Sequence, residues 1–140
     1  MATTFQVAFD AADPHALCDF WAAALRYEVE PTDEAFIRSM VEQGHATEAD
    51  TAMVKGELRW RTGTACSDPA GVGPRLYFQL VPEPKSAKNR VHLDLRSGDE
   101  RAAEIARLEA LGARRLYDGQ QGPQTWTTMA DPEGNEFCVT

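Results

Sequence analysis

Cysteine is scarce in this sequence, and the few that occur do not pair. Cys18, Cys66 and Cys138 are odd in number, far apart and form no Cys-x-x-Cys motif, which excludes a disulfide framework. They read as free thiols of a reducing compartment, with Cys18 and Cys66 as small buried hydrophobes. Long apolar runs are also missing: none approaches the roughly 20 residues that a membrane span needs. The Met1-Ala-Thr-Thr start has neither the basic nor the apolar region of a signal peptide, so the expected location is the cytoplasm. Positive charge is short as well. Fourteen Lys and Arg against 22 Asp and Glu leave a net charge of -8, with no basic stripe to neutralise phosphates. Nucleic acid and anionic membrane surfaces are thereby excluded as partners.

What remains is ordinary globular material, 43% hydrophobic and 26% charged over 140 residues, enough for one domain with a workable core. Phe5 to Asp10 alternates, with Phe5, Val7 and Phe9 on one face of a strand. Asp13-Pro14 is an N-cap followed by a first-turn proline, and Leu17, Phe20, Trp21, Ala24 and Leu25 form one apolar stripe of the helix that follows. Tyr27 to Val29 is a short strand. Residues 33–53 read as a helical insertion, with Phe36, Ile37, Met40 and Val41 apolar and Gly44 at its end. Leu58 to Cys66 is extended, Asp68-Pro-Ala-Gly71 is a turn, and Leu76, Phe78 and Leu80 alternate in a further strand. Pro82 to Lys88 is a polar connection. Asn89 to Arg96 then alternates again, Val91, Leu93 and Leu95 against His92, Asp94 and Arg96. Asp99 is expected to cap a helix buried along Ala102, Ile105, Leu108 and Leu111 and closed by Gly112. Arg114 to Tyr117, Thr125 to Met129 and Glu136 to Val139 complete the strands, with Asp131-Pro-Glu-Gly134 turning into the last.

The two halves repeat. At one and the same offset Gln6 falls opposite His92, Asp13 opposite Asp99 and Leu25 opposite Leu111, and each half carries an Asp-Pro-x-Gly turn before its last strand. The order is βαβββ twice. With the opening strand and its Ala-Asp-Pro, the Phe20-Trp21-Ala-Ala-Ala-Leu25 helix, Lys88-Asn-Arg-Val-His-Leu-Asp-Leu95 and Asp131-Pro-Glu-Gly-Asn-Glu-Phe-Cys138, the chain resembles the glyoxalase-like members of the vicinal-oxygen-chelate superfamily over nearly its whole length. The resemblance implies an α+β fold: two modules, residues 4–82 with the insertion and 89–140, forming a cup-shaped mixed sheet with helices on its outer face. It also implies a homodimer.

The same resemblance places the superfamily's metal positions on Gln6, Gln79, His92 and Cys138. Strand parity turns all four away from their apolar neighbours. None is a carboxylate, two are neutral amides, and a His/Cys pair alone gives a softer ion too few strong ligands. No cofactor is therefore expected, a divalent metal being the less favoured alternative. Asp10, Tyr77, Asp94, Arg96 and Glu136 share the inward parity. Asp94 and Arg96 suit an ion pair, while Asp94 or Glu136 could serve as a general base if burial raises its pKa. Trp60, Trp126 and the insertion could cover a cavity mouth and stack on a flat ligand, although the insertion's Phe36, Ile37, Met40 and Val41 more often mean a helix packed on the sheet; Trp21 belongs to the core. Three functions stay open. The first is a metal-free protein that holds a small aromatic or polar metabolite or drug, with Gln6, Asp10, Tyr77, Gln79, His92, Asp94, Trp126 and Cys138 lining the cavity. The second is a metal-dependent lyase, isomerase or ring-cleaving dioxygenase. The third is a metal-independent enzyme with an Asp or Glu base.

Overall fold

The computed structural model describes all of residues 1–140. The chain divides into two compact units, Met1–Pro82 and Glu83–Thr140. The first begins with strand β1 (Val7–Ala11) and helix α1 (Pro14–Leu25). Asp13 caps α1 by accepting from the Ala16 N–H at 3.1 Å, and Pro14 opens it without losing a needed donor. The apolar stripe is buried: Leu17, Phe20, Trp21 and Ala24 lie against the sheet, and Phe9 stacks on Phe78 and meets Trp21 at a tilt, at 5.0 and 5.3 Å between ring centres. Burying Trp21 and Phe78 completely contributes roughly 1.5–3 kcal/mol for each large side chain.

The first sheet is completed by β2 (Glu28–Val29), β5 (Gly63–Ser67) and β6 (Leu76–Leu80), in the order β1-β6-β5-β2. β1 and β6 run parallel, and the other pairs are antiparallel. Between β2 and β5 lies the insertion. Its helix α2 (Glu34–Glu42) forms as the sequence suggests, capped by Asp33, but only Ile37 is buried, and Phe36 stays exposed. The insertion is not helical to residue 53. Strands β3 (Thr51–Val54) and β4 (Glu57–Trp60) form a separate hairpin. Its two-residue turn, Lys55-Gly56, takes positive φ at both positions, the geometry that matches strand twist. The stretch read as one strand from Leu58 to Cys66 is thus broken at Arg61-Thr62. Arg61 fastens the break by donating to the Ala49 and Thr51 carbonyls.

The second unit holds β7 (Asp94–Leu95), α3 (Arg101–Leu111), β8 (Arg114–Gln121), β9 (Gln124–Ala130) and β10 (Glu136–Val139), with sheet order β7-β10-β9-β8. Each unit therefore places its first strand in parallel beside its last, followed by the third and the second. The paired Asp-Pro-x-Gly turns match too: Gly71 N–H donates to the Asp68 carbonyl and Gly134 N–H to the Asp131 carbonyl, both at 2.9 Å.

Four expectations are corrected here. Asn89 to Arg96 is not one strand; only Asp94 and Leu95 are paired as strand, with Leu93 O accepting from Cys138 N, and Val91 is 82% exposed. This segment is a sheet edge with β10 as its one partner, so nothing covers Val91. Phe5 precedes β1 and is 72% exposed rather than core. Asp99 does not cap α3: it sits in a 3-10 turn, and the helix starts at Arg101 after Glu100, which makes no capping bond. The buried face of α3 is Ile105 and Leu108, while Ala102 and Leu111 are exposed.

Candidate functional site

One row of side chains crosses the second sheet. Cys138 on β10 lies directly opposite Asp94 on β7 and Thr128 on β9, and Thr128 lies opposite Tyr117 on β8. Directly opposed residues share a face, so the row projects away from the side where Phe137, Met129 and Val139 are buried. A shift in register between Arg115 and Tyr117 brings Tyr117 into the row. Together with His92, Trp126, Lys88, Glu136 and Thr140 these residues line a cavity of about 320 Å³, within the range of small-molecule sites. Trp126 supplies an aromatic wall. The indole lies across Gly119, where a β-carbon would come within 2.2 Å of the ring, so any larger residue there would displace it.

Hydrogen bonding orders the polar end of the cavity. His92 Nδ1 is 2.9 Å from Asp94 Oδ1. A carboxylate accepts, so Nδ1 is the donor of this bond. Cys138 Sγ is 3.6 Å from the Thr128 hydroxyl. His92, Asp94 and Cys138 place one donor atom each within 4.8 Å of one another. Asp94 therefore pairs with His92 and not with Arg96. Glu136 is engaged differently. Burial pushes its carboxyl up, but the Asn89 N–H and the Lys85 ammonium at 3.1 Å outweigh this and hold it below the ordinary range. Such a carboxylate is a poor base, and the suggestion that burial would raise it does not hold.

The first unit has its own polar face. Gln6 Oε1 accepts from Arg75 Nη1 at 2.9 Å, and Arg75 also grips Glu30 with two bonds of 2.7 and 2.8 Å. The Arg75 guanidinium lies 5.7 Å from the centre of the Tyr77 ring. Gln79 Nε2 donates to Asp10 Oδ1 at 2.6 Å. The four positions implied by the resemblance do not fit a divalent ion as a set, because a cation at Gln6 would compete with the guanidinium already on its amide oxygen. His92 and Cys138 do converge, with Asp94 as a third donor absent from that set. Trp60 lies in the hairpin of the first unit, where its carbonyl accepts from His15 Nε2 at 2.8 Å, and it is not among the residues of the cavity. Trp21 is core, as expected.

Lys88, Tyr117, Thr128 and Thr140 line the cavity without having been singled out as its wall. Thr128 and Thr140 carry the same alternation that marks Trp126 and Cys138, so period-two reading of β9 and β10 reaches them. Tyr117 requires the register shift, and Lys88 lies in irregular chain, so neither is legible from alternation.

Two four-stranded sheets of one strand order, each with a helix, and a ligand-sized cavity on the polar face of the second define a paired-module α+β protein. The chain belongs to the glyoxalase-like domain family, which it matches over residues 6–140. It is similar in structure to a glyoxalase/bleomycin resistance protein/dioxygenase family enzyme from Burkholderia phytofirmans, at 12% identity and a TM-score of 0.62, covering 96% of this chain and 94% of that one. It is also similar to a possible glyoxalase from Bacillus cereus (13%, TM-score 0.62, covering 100% and 99%). A third likeness is to a variant of the fosfomycin resistance protein FosX from Listeria monocytogenes, complexed with manganese(II) and dihydroxypropylphosphonic acid (10%, TM-score 0.63, covering 99% and 89%). At such identities the likeness shows the fold. No curated protein matches the chain in sequence.

Proposed function

We propose that the protein binds a small, flat organic molecule in the cavity of its second module. The observation that carries this is the cavity itself: about 320 Å³, with the Trp126 indole among its walls and His92, Asp94 and Lys88 as polar anchors. An aromatic wall supplies contact area that favours planar ligands, and a few polar groups fix orientation. The small-molecule-binding role of the glyoxalase-like fold, as against catalysis, is the reading these walls support. A structural neighbour, a FosX variant complexed with manganese(II) and a small phosphonic acid, supports a small-molecule reading.

A thermal-shift screen of aromatic and heteroaromatic fragments tests the reading. Fragments that raise the Tm should lose about tenfold in affinity on Trp126→Ala, the ~1.4 kcal/mol of a good aromatic contact. His92→Ala should weaken the same fragments while leaving the Tm of the free protein nearly unchanged, because the side chain faces the cavity and not the core. Fragment binding that ignores both substitutions, or collapse of thermal stability on His92→Ala, would contradict the assignment.

A further inference from the structure

We propose that Cys18 and Cys66 form an oxidation site, a dithiol buried in the first unit that a small hydroperoxide converts to a disulfide joining α1 to β5. Spacing in the sequence gives no sign of it, because the two cysteines meet only when α1 packs on the first sheet. Cys18 lies on the buried face of α1, and Cys66 lies on β5 directly opposite the buried Leu76 of β6. Both are fully enclosed, at 0% exposure each, and their thiols are hydrogen-bonded to each other. The Thr64 hydroxyl adds a bond to Cys18. Cys138 differs: it belongs to the second unit, and its neighbour at 3.6 Å is the Thr128 hydroxyl rather than a thiol.

The shared hydrogen bond divides the labour between the two sulfurs. Donation by Cys18 holds the Cys66 thiol below its ordinary value against the effect of burial, and the same bond, with burial, pushes the Cys18 thiol up. Cys66 is therefore the sulfur that reacts as thiolate, and Cys18 the one that resolves. The Cys66 thiolate attacks the O–O bond of hydrogen peroxide, and the departing hydroxide takes up the released proton as water. Cys18 then attacks the sulfenic sulfur; its proton leaves with the hydroxyl as a second water, and the S–S bond forms. Two electrons pass from the two sulfurs to the peroxide. A cleft of about 150 Å³ between α1 and the β3–β4 hairpin, lined by His15, Val29, Arg59 and Thr64 among others, leads to Cys18. Water occupies about 30 Å³ in the liquid, so the cleft admits hydrogen peroxide and excludes a bulky disulfide oxidant. The hairpin beside it pairs with no other strand.

The test is titration of the reduced, folded full-length chain with hydrogen peroxide, read by intact mass and by peptide mapping without reduction. The chain should lose two hydrogens and yield one linked pair, the peptide holding Cys18 joined to the peptide holding Cys66. The Tm should rise by roughly 5–15 °C as the link forms, and dithiothreitol should restore both mass and Tm. Cys138→Ser should leave the link intact. Cys18→Ala and Cys66→Ala should abolish it, each variant being checked for folding by circular dichroism. The unmodified chain decides the matter without them. Cys18 and Cys66 that stay reduced in excess peroxide, and link only once urea has unfolded the chain, would overturn the proposal. So would oxidation that ends as sulfinic acid on either cysteine with no link between them, or a link from either to Cys138.

Discussion

Asp131 is 3% exposed, yet its carboxylate organises a whole turn. Oδ1 accepts from the backbone N–H groups of Glu133 and Asn135, both at 2.9 Å, and Oδ2 accepts from the Asn135 side chain at 2.8 Å. This turn delivers β10, and with it Cys138, to the cavity. Removing the acceptor leaves partly buried donors without partners, so Asp131→Ala should cost about 1–3 kcal/mol by denaturant unfolding. Asp68 makes the equivalent turn in the first unit, where the Gly73, Ala70 and Val72 N–H groups hold its carboxyl below the ordinary range. It is more exposed, and Asp68→Ala should cost less. Both aspartates were legible in the sequence because Asp-Pro-x-Gly is a local signal with a local cause. The His92–Asp94 pair was not: alternation placed both side chains on one face but could not say whether Asp94 would turn toward His92 or Arg96.

At the scale of elements, the strands of the first sheet are tied together at one end by a polar clamp. Gln6 just before β1, Arg75 just before β6, Ser67 on β5 and Glu30 just after β2 are joined through the Arg75–Glu30 pair. The Arg75 hydrogen bonds hold the Glu30 carboxyl below its ordinary value of 4.5, against the opposing effect of burial. A carboxylate lowered on folding contributes stability above its unfolded pKa, and that contribution is lost as pH falls through the folded value. The Tm should therefore drop on acidification below pH 4.5, and Glu30→Gln should show a shallower drop over that range while melting lower at pH 7. An equal acid slope in both proteins would remove the clamp from the account. Element types were largely readable: α1, α2, β6, β9 and β10 fall where periodicity puts them. The failures share a cause. Val91 and Phe5 continue an apolar alternation past the point where a partner strand exists, and the β3–β4 hairpin is announced only by Lys55-Gly56, whose positive φ values no period reveals.

The whole molecule repeats one βαβββ design, yet the two sheets use their polar faces differently. In the first, Arg75, Glu30, Gln6, Asp10 and Gln79 satisfy one another. In the second, a comparable face surrounds a cavity. The repeat itself could be read from matching spacings, because strand order and turns follow from local sequence. The division of labour could not, since it depends on which polar side chains find partners across strands. Proton–nitrogen correlation NMR with a fragment that stabilises the protein is the most direct test of the proposal that ligand binds in the cavity of the second module. The largest shifts are expected at the Trp126 indole N–H and the backbone amides of Thr128 and Cys138. Shifts confined to Gln6, Tyr77 and Gln79, with Trp126 and Cys138 unmoved, would contradict it.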